Sequence, residues 1–181
     1  MKALPAFMRG VTRLNDFIGR GIALLVFAMF LFLLLEVGFR YLFNSPTVWT
    51  NELTQLVFGF YAVMSGGYIL AHRAHVNVDL LHTHLPPRGR ALVDILTSSM
   101  FFIFTLALLY FGVEMARESI NSMETSYSAW NPPIWPVKLA IPVATVLLIL
   151  QGLVKLLQDI AVAFNFSYYQ PEAEESEGEM L

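Results

Sequence analysis

An all-α integral membrane protein is the fold class predicted, with four transmembrane helices and a short amphipathic interfacial helix between the second and third. Three observations predict it. The 181-residue chain is 56% hydrophobic but only 14% charged, where a soluble domain carries about 25% charged residues. Its mean hydropathy is +0.59. Finally, four stretches are free of charge for long enough to cross a hydrocarbon core about 30 Å thick, which takes about 20 helical residues.

The first helix is expected over about residues 18–43, around the uncharged run Gly21–Leu35. Stretches such as LLVFAMFLFLLLEV here, and MFFIFTLALLYFGV in the third span, have no polar face. A buried helix of a soluble bundle shows one every three to four residues, so these sides meet lipid. The first segment is too long for the apolar core of a signal peptide and ends in Glu36-Val-Gly-Phe-Arg40 without a small-residue cleavage site, so it is expected to be retained. Asn44-Ser-Pro-Thr-Val48 then makes a tight turn, with Thr50 or Asn51 expected to cap the second helix, about 49–71.

The segment about 74–85 places Ala74, Val78, Leu81 and Leu85 at helical spacing with polar residues opposite. That is the pattern of a helix lying in the membrane interface, stopped by Pro86-Pro87. The third and fourth helices are expected over about 91–117 and 135–159, separated by a polar loop rich in Trp and Pro. Residues 1–166 would form one membrane domain, and 167–181 an acidic disordered tail holding Glu172, Glu174, Glu175, Glu177 and Glu179.

Basic residues near helix ends set orientation, and acidic ones count for little. Lys2, Arg9, Arg13, Arg20, Arg73, Arg88, Arg90 and Lys155 fall on one side, against Arg40, Arg117 and Lys138 on the other. Eight against three puts both termini in the cytoplasm.

Chemistry-bearing residues are few. The chain has no cysteine, which excludes disulfides, thiolate metal sites and Cys nucleophiles. Nucleic acid is excluded as a partner because no basic stripe interleaved with aromatics exists. Glu36 and Arg40 stand four apart, acid first, as a helical ion pair requires. Glu52 and Trp49 follow just across the turn. These four are the candidate polar cluster that locks the hairpin or meets a partner, the plain alternative being side chains that snorkel to the headgroups. Gly59, Ala62, Gly66 and Gly67 are candidates for close helix packing, either inside the unit or against a second membrane protein.

His72, His75, His82 and His84 share one loop with Asp79, and His75, Asp79 and His82 would share a face if it were helical. No His-Glu-x-x-His motif supports a metal there, and no histidine lies inside a span to hold a haem, so no metal and no cofactor are expected. Trp49, Trp130 and Trp135 suit an aromatic belt, and Pro142 should kink the last helix. Neither a catalytic constellation nor the broken helices and midplane polar groups of a transporter are present in the pattern, so the chain reads as neither an enzyme nor a stand-alone transporter.

The order of these pieces resembles a known family, the small membrane subunit (DctQ type) of tripartite ATP-independent periplasmic (TRAP) transporters. The resemblance runs from about Asn15 to Asp159. It rests on Arg40-Tyr41, Trp49-x-x-Glu52, Gly66-Gly67, the stretch Ala74-His75-Val76-Asn77-Val78-Asp79-Leu80-Leu81 with Leu85-Pro86, and Pro132-Pro133-Ile134-Trp135 before a helix containing Leu150-Gln151. The stretch around His75, Asp79 and Leu81 carries most of it, with Val76 where the family pattern has Ile. The resemblance implies a non-transporting, separate subunit in a bacterial inner membrane. Its partners would be a large sodium-coupled, elevator-type permease subunit for organic acids, a periplasmic substrate-binding protein and membrane lipid. The alternative reading is a small membrane anchor for a redox complex.

Overall fold

The computed structural model describes residues 3–72 and 87–164. The expected interfacial helix, His75, Asp79 and Leu81, and the acidic tail lie outside the described residues. Five helices are seen there: α1 (Ala3–Tyr41), α2 (Thr50–Met64), α3 (Gly66–Ala71), α4 (Pro87–Asn121) and α5 (Trp135–Ala163). They make four stretches long and apolar enough to cross a membrane, α2 and α3 together forming the second. Among the described residues the secondary structure is helical, apart from a single β-bridge between Thr125 and Pro133 in the α4–α5 loop.

Helix α1 begins far earlier than the uncharged run, at Ala3, with Pro5 in its first turn where a missing N–H costs nothing. The reason is an amphipathic stripe. Met8, Val11, Asn15, Gly19 and Ile22 are buried, while Arg9, Arg13 and Arg20 are exposed on the other side. Met8 and Val11 pack with Val154, Leu150 and Leu157 of α5, so burial supports helix well beyond the lipid-facing part. At its other end Asn44 takes a left-handed conformation (φ 50°), tolerable for Asn, and the Ser45 N–H reaches the Phe39 carbonyl at 3.0 Å.

The second span is not one unbroken helix. It is interrupted at Ser65, whose hydroxyl donates to the Ala62 carbonyl at 2.9 Å, just ahead of Gly66 and Gly67. A serine bonded back to the preceding turn and two poor helix formers weaken the helix at that point. Prolines open the later spans: Pro87 is the first residue of α4, and Pro136 lies in the first turn of α5.

Helix α5 is the centre of the bundle. Ala140, Pro142, Ala144, Thr145, Leu147, Gln151, Gly152, Val154 and Ala161 are buried along it, and α1, α2, α3 and α4 all pack on it. The most extensive packing is α4 on α5, where small residues bring the backbones close. A Cβ at Gly152 would sit 2.3 Å from the Phe101 ring, and one at Gly112 3.2 Å from Ile141. The first and third spans, α1 and α4, turn broad apolar surface outward, including Phe27, Leu31, Met100, Ile103 and Phe104, as lipid requires.

Of the small residues in the second span, Gly67 is the one under steric compulsion. A Cβ there would fall 2.1 Å from Asn15 Oδ1, whereas at Gly66 and Gly59 the nearest atoms, of Leu148 and Val137, are 3.8 and 3.7 Å away. Ala62 is exposed. Gly67→Ala is therefore expected to destabilise the protein by about 1–3 kcal/mol, the usual cost of overpacking. Gly66→Ala should be neutral or slightly stabilising. Thermal unfolding of the two variants in the same detergent checks the contrast.

Candidate functional site

Polar side chains gather at the two ends of the bundle. At the hairpin end, α1 stops and α2 starts so that Glu36 faces the turn. Glu36 is 7% exposed, and its carboxylate accepts from five groups. Oε1 takes both Arg40 donors, Nε at 3.1 Å and a closer contact from the terminal guanidinium nitrogen. Oε2 takes the Thr47 N–H at 3.2 Å, the Thr47 hydroxyl, and the Thr50 hydroxyl at 2.7 Å. Thr50 is fully buried. A carboxylate near hydrocarbon is tolerable when every lone pair is engaged, and this one is.

The expected Glu36–Arg40 pair is thus present, but its other partners are the threonines rather than Glu52. Thr50 does not cap α2 either: Trp49 occupies the cap position with no side-chain cap bond, and the Thr50 hydroxyl is spent on Glu36. The signal was available in the sequence as two hydroxyls three apart following the turn, at Thr47 and Thr50.

Glu52 reaches elsewhere. Its carboxylate accepts from the Ser128 hydroxyl at 2.6 Å, in the loop between α4 and α5. Trp49 lies against the same loop, its ring 6.5 Å from that of Trp130 and tilted to it by 53°, and edge-on to Phe32 at 6.3 Å. The loop is knitted by its own polar groups. The Ser126 N–H reaches the Pro132 carbonyl at 3.0 Å, Tyr127 N–H the Asn131 side chain at 2.9 Å, and Asn131 N–H the Ser128 hydroxyl at 2.9 Å. Met123, Tyr127 and Asn131 adopt left-handed backbone there. Lys138 at the start of α5 donates to both oxygens of Glu124, at 2.7 and 2.6 Å. That ammonium holds the Glu124 carboxyl below its ordinary range.

At the opposite end, where α1 begins and α3 and α5 finish, Asn15 is 2% exposed between three helices. Its amide donates to Gln151 Oε1 on α5 and to the Val11 carbonyl, both at 3.2 Å, and Gly67 of α3 leaves room for it. The Gln151 amide in turn approaches the Thr12 hydroxyl at 3.4 Å. His72, after α3, lies 2.9 Å from Asp16 and against the Tyr68 ring. Gln151 was legible as the one polar residue ending an apolar run; its partner Asn15 carried no signal.

No group of three or more His, Cys, Asp or Glu side chains able to hold a metal occurs among the described residues. Two open, apolar grooves lie on the described surface, one between α1 and α2 beside Met29, Phe30 and Phe58, another between α4 and α5 beside Val113, Ile120 and Leu139.

The fold and its polar clusters define a multi-pass helical membrane protein in which Glu36 with Thr50, and Asn15 with Gln151, bind helix to helix. The chain belongs to the DctQ component family of tripartite ATP-independent periplasmic transporters, whose pattern it matches over residues 29–162. The family is one of transport components, not enzymes. The chain is similar to the sialic acid TRAP transporter permease protein SiaT of Haemophilus influenzae (strain 86-028NP), 21% identical over 112 residues, 62% of this chain and 18% of SiaT. It is also similar to the sialic acid TRAP transporter small permease protein SiaQ of Vibrio cholerae serotype O1 (strain ATCC 39315 / El Tor Inaba N16961), 23% identical over 84 residues, 46% of this chain and 49% of SiaQ. The matched part spans about half the length of SiaQ and under a fifth of SiaT.

Two tests follow from this geometry. Thr50→Val should destabilise by about 1.5–3 kcal/mol, the range for hydrogen bonds to charged groups, and Ser128→Ala by less than about 1 kcal/mol because its site is exposed. Denaturation of both in one detergent checks the order. The Glu124–Lys138 pair contributes stability that is present above the ordinary Glu value of 4.5 and is lost as pH falls through the lowered native value. The stability gap between the native protein and Glu124→Gln should therefore be constant near neutrality and close on acidification below about 4.5.

Proposed function

We propose that this chain is the small, non-transporting subunit of a sodium-coupled TRAP transporter for organic acids. It forms part of the stationary wall against which a larger, elevator-type permease subunit moves, and its hairpin end offers a surface to a periplasmic substrate-binding protein. The membrane is the bacterial inner membrane, with both termini in the cytoplasm, in keeping with the eight basic residues on that side against three on the other.

The observation that carries the reading is where the polar groups in and beside the spans go. Glu36 is consumed by Arg40, Thr47 and Thr50, and Asn15 by Gln151. Thr105 and Thr145 bond back to their own helices. Among the described residues these groups either tie helix to helix or close on their own helix rather than lining a path, which suits a rigid body beside a moving one. Family membership supplies the partners, and the two relatives, whose names specify sialic acid, support a carboxylate-bearing substrate class. The redox-anchor reading has no observation in its favour, since no histidine lies within the described helices to ligate a haem.

Reconstitution tests the scaffold role. The large subunit and binding protein are placed in liposomes with and without this chain, and sodium-driven uptake is expected to drop to background in its absence. Undiminished uptake would end the proposal. Arg40→Ala and Glu52→Ala should each lower copurification with the large subunit or binding protein severalfold. Unchanged yield for both would remove these residues as interface candidates while leaving the scaffold role standing.

A further inference from the structure

The first turns of α1 carry three arginines on one side. At about 100° per residue, Arg9, Arg13 and Arg20 fall within about 40° of one another around the helix axis. Leu24, Phe27 and Leu31, all turned outward, continue the same strip and widen it only to about 60°. The arginines are exposed, away from the face that buries Met8, Val11 and Asn15 against the bundle. None of the three hydrogen-bonds or ion-pairs with another described residue. The acid nearest to them in sequence, Asp16, lies 2.9 Å from His72.

Neighbouring contacts set the level of these arginines in the membrane. Glu36 closes the hairpin at one boundary, and Asn15 meets Gln151 and Gly67 near the other. From Asn15 to Glu36 the helix rises about 32 Å, which matches a hydrocarbon core about 30 Å thick. Arg13 then sits about 3 Å and Arg9 about 9 Å beyond the core, in and beside a headgroup layer about 5–8 Å deep. Helix α5 agrees, because Val154 packs on Met8 and Val11, and Lys155 follows it where the uncharged run of that helix ends. Arg20 lies about 8 Å inside the core. Side chains on a helix lean toward its N-terminus, which for α1 is toward this same layer, so the Arg20 stem runs along lipid and its guanidinium rises to the phosphates. Phe17, 79% exposed between Arg13 and Arg20, offers lipid a ring at the same boundary.

Guanidinium groups take phosphate oxygens in pairs and have nothing to offer an ammonium. A zwitterionic headgroup brings an ammonium with it, and the nearby described acid, Asp16, is on His72. Charge complementarity therefore selects a headgroup that is anionic throughout. We propose that Arg9, Arg13 and Arg20 form a binding site for a phospholipid of net negative charge that lacks an ammonium, of the phosphatidylglycerol class, with its acyl chains lying along Leu24, Phe27 and Leu31. The site fastens the start of α1 to one leaflet. It goes beyond the transporter reading and does not require it.

The absence of cysteine allows a local test. Phe17→Cys carries a fluorophore beside the arginines. Met100→Cys, exposed on α4 one residue before the Phe101 that packs on Gly152, carries it at a comparable depth elsewhere. The full-length chain in phosphatidylcholine nanodiscs is titrated with phosphatidylglycerol or phosphatidylcholine, each spin-labelled near its ester groups, and quenching is read. With Phe17→Cys, phosphatidylglycerol should quench about threefold or more as effectively as phosphatidylcholine at equal mole fraction. With Met100→Cys the two lipids should quench alike. Arg9→Gln, Arg13→Gln and Arg20→Gln together should abolish the preference, whereas Arg9→Lys, Arg13→Lys and Arg20→Lys should keep most of it, a retention that a general loss of folding would not give. Circular dichroism confirms that each variant is helical. Inorganic phosphate should displace no more lipid than chloride at the same ionic strength. A preference equal at both positions would overturn the proposal, because it would report only the overall field of the protein, and so would one that survives the glutamine changes. Selective displacement by phosphate would also overturn it, by making the arginines a site for a free anion.

Discussion

A polar group inside a bilayer must find its partner within the protein, and the architecture follows from how that demand is met at the two ends of the bundle. Glu36 draws the turn after α1 back onto itself through Thr47 and Thr50, which fixes where α2 begins and how closely it runs beside α1. With α2 so placed, Trp49 and Glu52 face the α4–α5 loop, and that loop in turn aligns the start of α5. One satisfied carboxylate therefore sets the register of the hairpin, and the hairpin sets the surface at that end. Removing the partners would leave a charge in a medium that cannot solvate it, so the constraint is severe.

At the other end the same demand is met by neutral groups. Asn15 and Gln151 bond across from α1 to α5, and Gly67 leaves the space that Asn15 needs. Between the two ends the helices are held by contact alone, since apolar surface gains nothing from leaving lipid. That explains the small residues where α4 meets α5, at Gly112 and Gly152, and the run of Ala140, Ala144 and Ala161 along the buried side of α5. A body fastened at both ends and closely packed in between is stiff. Stiffness is what the proposed role beside a moving permease subunit would require.

The same arrangement separates what is finished from what is left open. Glu36, Thr50, Asn15 and Gln151 are buried and engaged within the unit, whereas Ala62, the open groove beside Phe58 and Met29, and the broad apolar sides of α1 and α4 are turned outward. Small residues in the second span thus divide by face, Gly67 serving the interior and Ala62 turned outward.

Much of this protein was legible from its residues. Uncharged runs such as Gly21–Leu35 and Ile95–Val113 announce helices in lipid because hydrocarbon imposes length and apolarity on each span separately, without reference to any neighbour. The Glu36–Arg40 pair was legible for the same reason, being four residues apart on one helix. What needed the tertiary structure depends on contacts between distant segments. Helix α1 extends back to Ala3 because α5 buries Met8 and Val11. Glu52 meets Ser128, 76 positions away, rather than its neighbour in sequence Arg40. Helix α5 becomes the centre because four helices converge on it. Local chemistry and solvent fix the spans; which faces touch is decided only once all of them compete for the same space.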